Sequence, residues 1–187
     1  MKTISNKTAI FKFKPQMEPV ERVVPGEIFR VITNGCYAEE FAPDDEFTSE
    51  VVNRDEETSE AEITTTGPIF VEGAEVGDIL KVKILNINLS SQGFVEIAPN
   101  QGVLGHKVKE ARTKILPIKD QQCYMGDISI PIRPMVGVIG VAPANEEGEF
   151  GTSTPWKHGG NIDVTDITES SVVYLPVQQK GALLGLG

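Results

Sequence analysis

The chain has 187 residues and a mass of 20.3 kDa, enough for one domain, or two small ones sharing a core, with a sizeable buried interior. Its 17 Lys and Arg against 27 Asp and Glu leave a net charge of −10, which repels phosphate backbones and argues against nucleic acid as a partner. Hydrophobic content of 40% and charged content of 24% are those of a globular protein, and no apolar run approaches the ~20 residues that span a bilayer, which argues against a membrane partner.

From the N-terminus, Met1-Lys-Thr-Ile-Ser-Asn-Lys7 carries lysines but no apolar stretch behind them, so it does not read as a secretory signal. Phe11 and Phe13 alternate with Lys12 and Lys14, the period of a half-buried strand. Pro25-Gly-Glu-Ile-Phe-Arg-Val31 is echoed 51 residues later by Val76-Gly-Asp-Ile-Leu-Lys-Val82. Each copy is a turn glycine and an acid followed by a strand, which predicts a repeated turn-into-strand device. Cys36 and Cys123 are the only cysteines. They form no disulfide framework and read as reduced thiols of a cytoplasmic protein. Acids crowd Glu39 to Glu62, opposed only by Arg54. Without an Asp-x-Asp-x-Asp-Gly spacing, that stretch reads as a solvated loop or short exposed helix.

Further along, Leu80, Val82 and Ile84 alternate with Lys81 and Lys83, and Ile128, Ile130 and Ile132 alternate with polar residues. Both runs predict strands with one face on a core. His106 stands in a loop-like setting and reads as a surface residue, and Cys123 lacks any marker of a nucleophile. Val136 to Val141 is apolar throughout except for Gly137 and Gly140. It predicts a strand buried on both sides, with glycines where another backbone comes close. Val172 to Val177 is the last strand candidate. The expected fold is mainly β with little helix, strand exceeding helix at least about twofold.

Chemistry concentrates in Gly151-Thr-Ser-Thr-Pro-Trp-Lys-His-Gly-Gly-Asn-Ile-Asp163, a segment too rich in turn formers for a strand interior. His158, Asn161 and Asp163 fall within six residues around a Gly-Gly that lets the backbone fold tightly. Imidazole, amide oxygen and carboxylate are ligands suited to zinc, nickel or calcium. The same residues also suit a structural turn in which Asn161 and Asp163 bond the local backbone. The glycines of Gly181 to Gly187 have the wrong spacing for a phosphate loop.

The run of motifs resembles the acetamidase/formamidase family, hydrolases of small linear amides. The likeness is carried by Val24-Pro-Gly-Glu27, Thr66-Gly-Pro-Ile-Phe-Val-Glu-Gly-Ala-Glu-Val-Gly-Asp78, Ile130-Pro-Ile-Arg-Pro-Met-Val-Gly-Val-Ile-Gly-Val-Ala-Pro143, His158-Gly-Gly-Asn-Ile-Asp163, and Tyr174-Leu-Pro-Val177 with Gly181-Ala-Leu-Leu184. They follow the family's order over nearly the whole chain, 1–187, which is taken as a single β-rich unit. The resemblance implies a β-sandwich with a barrel-like part, and cleavage of formamide or acetamide to ammonia and a carboxylate. It places the active-site segment at His158, Asn161 and Asp163, with a divalent metal, zinc first and calcium or nickel after it, held by those three residues. His158, Asp163 and Glu72 are its candidate catalytic groups, Glu72 reading equally as a turn residue; Trp156 and Met135 are candidates for a small apolar substrate pocket.

Family members continue past this point into an Asp-x-His and a Gly-Asp-Gly-Glu cluster, whereas this sequence ends at Gly187. The expectation is therefore a fragment, one half of a split enzyme, or a chain whose missing ligands come from a second copy or second chain, with little activity alone. Ala182, Leu183, Leu184 and Leu186 are expected to be exposed and to pair with another chain, most simply in a homo-dimer. The alternative function is a catalytically inert β-sandwich module for binding or assembly. One Trp and 6% aromatic residues give a carbohydrate-binding sandwich little support.

Overall fold

A computed structural model describes residues 1–35 and 63–187; Cys36 and the acidic stretch from Glu39 to Glu62 lie outside the described residues. These group into two compact units, one from residues 1–35, 63–87 and 134–187 and the other from 88–133. In chain order the first unit begins with β1 (Lys2–Ile4), β2 (Ala9–Ile10), β3 (Lys12–Phe13), β4 (Glu21–Val23), β5 (Phe29–Val31), β6 (Thr65–Val71) and β7 (Ile79–Lys83). The second unit supplies β8 (Gln92–Ile97), β9 (Arg112–Lys119), β10 (Gln122–Met125) and β11 (Ile128–Pro131). The first then resumes with β12 (Val138–Gly140), β13 (Phe150–Gly151), β14 (Gly159–Asn161), β15 (Val172–Pro176) and β16 (Leu184–Leu186). Two three-residue 3₁₀ turns, Gly105–Lys107 and Asn145–Glu147, are the helical segments among the described residues. The mainly β expectation holds. No helix there is long and apolar enough to cross a membrane.

The first unit is built on a six-stranded sheet in the order β14-β12-β16-β6-β2, with β4 parallel beside β6. β6 reads TTGPIFV and is buried along nearly its whole length, so it has no alternation for the sequence to show. Its leading threonines keep their hydroxyls satisfied under burial, Thr66 Oγ1 donating to the Ile32 carbonyl (2.9 Å) and Thr64 Oγ1 to that of Gly35 (2.7 Å). Ile69, Val71, Ile139, Val141 and Leu184 from this sheet meet Ile4, Leu175 and Val177, with Leu80, Val82 and Ile84 packed against them. The core thus lies between the large sheet and the paired strands β1–β5 and β7–β15. That is a layered sandwich. The sheets follow open paths, and none closes into a barrel among the described residues.

Local expectations fare unevenly. β7 alternates exposed and half-buried as its lysines require, and β12 is buried at every residue. The echoed turns are one device used twice. The Val24 N–H donates to Glu27 (3.0 Å) and the Glu75 N–H to Asp78 (2.9 Å), each acid accepting from the backbone three residues earlier. Gly26 and Gly77 take φ of 84° and 98° in those turns. Phe11 and Phe13, by contrast, do not share a face. The chain bends at Phe11 between β2 and β3, so Phe13 is buried and Phe11 exposed. Nor is the C-terminal run exposed. β16 inserts between β12 and β6, bonded to both, and Ala182, Leu183 and Leu184 are buried.

The second unit is an antiparallel meander in the order β11-β10-β9-β8. Asp120 and Gln121 both take positive φ, 50° and 60°, in the two-residue loop joining β9 to β10. Such a loop matches the right-handed twist of its strands. Ile128 and Ile130 remain exposed despite their alternation, because β11 is an edge strand bonded only to β10. Alternation set the pairing but not the burial.

Glycine matters most where β12 meets β14. Gly159 and Gly160 take φ of 100° and 101°. A Cβ on Gly160 would lie 2.3 Å from the Thr154 carbonyl oxygen, whereas one on Gly73, at φ 78°, would meet nothing within 4 Å. Gly73→Ala should therefore cost only left-handed strain, about 1–2 kcal/mol, while Gly160→Ala adds a backbone collision and should cost roughly 3 kcal/mol or more. Urea midpoints of the two variants measure the difference; equal losses would show that the close approach is unimportant.

Candidate functional site

The segment from Gly151 to Asp163 runs from β13 through a tight turn into β14. Thr152 anchors its start, its buried hydroxyl donating to the Ile63 carbonyl at 2.6 Å. Trp156 and Gly159 exchange two backbone hydrogen bonds, 2.8 and 3.0 Å, closing a turn with Lys157 and His158 at its tip. The two tip residues part ways: Lys157 is exposed and His158 is fully buried.

His158 sits between two aromatic rings. Its imidazole lies 5.0 Å from the Phe13 ring and 4.9 Å from that of Phe150, nearly parallel to the latter at 25°. Phe150 stacks in turn on Trp156 at 6.4 Å. Among the described residues neither imidazole nitrogen has a hydrogen-bond partner. Burial pushes His158 down to about 4, the negative charge of Glu147 opposing that fall only in part. At neutral pH the ring is uncharged, with a lone pair available to a metal or a proton.

Asn161 and Asp163 are placed by the other end of β12. Ile162 and Asp163 both donate to the Gly137 carbonyl (2.9 and 3.1 Å). Their neighbourhood is kept open by the missing side chain of Gly137: a Cβ there would lie 2.8 Å from Asp163 Oδ1 and 3.7 Å from Asn161 Oδ1. Asp163 takes φ 50°, a conformation Asp tolerates better than most residues. Side-chain oxygens of Asp163 and Asn161 thus both approach the bare face of Gly137. They form a cradle that suits part of the oxygen set of a divalent cation.

The structure does not draw all the candidate residues to that point. The His158 carbonyl accepts from Val141, so its backbone is anchored four residues along the strand from Gly137, roughly 13 Å away at strand rise. Among the described residues no three His, Cys, Asp or Glu side chains gather to hold an ion. Met135 is half-buried near the Gly137 end of β12, while Trp156 is exposed at the Gly140 end. Glu72 follows β6, in an exposed ion pair with Arg22 at 3.1 Å. Phe13, Phe150 and Glu147 were not among the sequence candidates. Only the spacing of Phe13 in an alternating run hinted at burial, and nothing hinted at its partner.

The sequence profile of the acetamidase/formamidase family matches residues 2–147. No curated protein matches the chain. Among solved structures, it resembles the acetamidase of Bacillus halodurans, with 34% identity and a TM-score of 0.86 over 99% of this chain and 60% of that one. It also resembles a recombinant predicted acetamidase/formamidase from the thermophile Thermoanaerobacter tengcongensis, at 37% identity and a TM-score of 0.86, over 100% of this chain and 60% of that one. A gamma lactamase from Delftia acidovorans shares the fold at 20% identity and a TM-score of 0.83, over 100% of this chain and 61% of that one. The chain therefore spans about three fifths of the length of these structures.

His158 makes stability depend on pH. Its ordinary value is 6.5 and its folded value about 4, so between those limits the unfolded chain binds the extra proton. Its contribution is complete above about pH 6.5 and is lost as pH falls toward 4. The loss at pH 4.5 should be about 2.5 kcal/mol. Urea unfolding at pH 7 and 4.5, with His158→Leu as reference, isolates it, since carboxylate titrations are common to both proteins. Equal pH dependence in the two would rule it out.

Proposed function

Since the chain belongs to the acetamidase/formamidase family, we propose that it carries the site of an amide hydrolase acting on small linear amides such as formamide or acetamide, releasing ammonia and a carboxylate. The observation that supports this most is the approach of Asn161 and Asp163 oxygens to the bare face of Gly137, with the buried, uncharged His158 at the other end of β12. An unactivated amide needs an activated nucleophile, a stabilised oxyanion and a proton for the departing amine. Asn161 and Asp163 would hold a divalent ion, zinc before calcium or nickel, and His158, anchored about 13 Å along β12, would serve as the proton carrier outside the ligand set. Bound there, the ion would supply a polarised carbonyl and a bound water of lowered pKa.

The protein's own groups have separate tasks in this scheme. Asp163 brings the one negative charge of the cradle and Asn161 a neutral oxygen. His158, with both nitrogens unpartnered among the described residues, gives or takes a proton without an ion pair to hold it. Met135, at the Gly137 end of β12, would give a few-atom substrate an apolar wall beside the cradle, whereas Trp156, exposed at the Gly140 end, lies outside it. Glu72, paired with Arg22, is read as a turn residue outside the chemistry. A cytoplasmic location and pairing with a second copy, or with a second chain that completes the ligand set, belong to the same proposal.

Ammonia release from formamide and acetamide by the full-length protein, together with its metal content, tests the reading. Asp163→Asn keeps the tolerated backbone conformation and removes the charge. It should lower turnover and metal occupancy by ~10–100-fold while leaving the far-UV circular dichroism unchanged. Ammonia release at the unmutated rate by that variant would falsify the site. Absence of both ammonia release and a bound ion would point to the inert binding or assembly module.

A further inference from the structure

We propose that Glu147 is the positioning residue of the His158 turn: its carboxylate clamps the Trp156–Gly159 turn from outside and so holds the imidazole between Phe13 and Phe150. The inference rests on His158 being part of the amidase site, and it names a residue that neither the sequence nor the family resemblance singled out. Among the described residues His158 has no polar partner at either nitrogen, so no hydrogen bond from them fixes its ring. The ring's place is decided by its neighbours and by the backbone of the turn that carries it.

That turn is held from one direction. Lys157 Nζ donates to Glu147 Oε1 at 2.9 Å. Gln178 Nε2 donates to Oε2 at 3.1 Å. Charge-assisted bonds of this kind are stronger than neutral ones, and the Glu147 side chain is only 14% exposed. The base of the clamp is itself braced. Glu147 ends the 3₁₀ turn Asn145–Glu147, and the Gln179 amide bonds the Pro143 carbonyl (2.9 Å) and Asn145 Oδ1 (3.3 Å). Glu147 therefore ties residues 143–147, 156–158 and 178–179 into one unit. Its grip reaches the imidazole through Lys157 and the Lys157–His158 backbone, while Phe150 stacks on both Trp156 and His158.

Two histidines make the test direct. His106 is exposed, so the displacement of the His158 ring-proton resonances from those of His106 in proton NMR reports the currents of Phe13 and Phe150. Assignment follows from His106→Gln. Glu147→Ala should lose about half or more of that displacement, as rings held by contact lose their offset geometry. Glu147→Gln, which still accepts from Lys157, should retain most of it. Lys157→Met, which cuts the main tether from the other side, should move the resonances in the same direction as Glu147→Ala and carries the test if the latter fails to fold. In the active protein, Glu147→Ala should lower kcat at least about tenfold with little change in KM, and Glu147→Gln should restore it. A protein releasing no ammonia would overturn the amidase reading while the resonances still decide the clamp. Resonances unmoved in both Glu147→Ala and Lys157→Met overturn the clamp itself.

Discussion

The backbones of β12 and β14 run closer together than side chains would allow, and the rest of the first unit depends on that contact. A Cβ on Gly159 would lie 2.2 Å from the Ile139 carbonyl oxygen, and one on Gly140 would lie 2.9 Å from the Gly160 nitrogen. Glycine at both positions lets the strands press together. Gly159 and Gly160 also take the left-handed angles that bring the chain from the turn into β14. The same strand pair borders β16, so the central sheet inherits its spacing from this one approach.

Chemistry is laid out along β12 as a consequence. At one end the missing side chain of Gly137 opens a cradle for Asp163 and Asn161. At the other, the turn closed by Trp156 and Gly159 sends His158 inward to Phe13 and Phe150. The two ends have opposite electrostatics. One offers oxygen donors on an exposed loop; the other is an apolar box that strips an imidazole of water and keeps it neutral. A strand thus separates a polar pair of side chains from a desolvated imidazole while fixing both to a single element.

The apolar strands around this pair supply rigidity rather than chemistry. β6 is buried on both faces and bonds three neighbouring strands, β16, β2 and β4. Its threonines reach back to the carbonyls of Ile32 and Gly35, tying the chain on either side of residues 36–62 to the sheet. Bonds of this sort cost little and leave no buried hydroxyl unpaired.

Composition, alternation and turn chemistry were enough to determine the β class, the doubly buried strand at Val136 to Val141, the alternating face of β7 and the echoed acid turns, because each rests on neighbours in sequence. The glycines of Val136 to Val141 were legible as sites of close approach, and Gly159-Gly160 as a place where the backbone folds tightly. What the sequence could not supply was distance. Only the tertiary structure decided that Gly137 faces a carboxylate while Gly140 faces a backbone, and that Phe13 is buried while Phe11 is not. Only it set His158 apart from Asp163 along β12 and drew Phe150 and Glu147 to the histidine. It also decided that the apolar run at Ala182 to Leu186 is covered. Each of these depends on which strands become neighbours, and local pattern fixes a strand's faces but not the partner that will cover them.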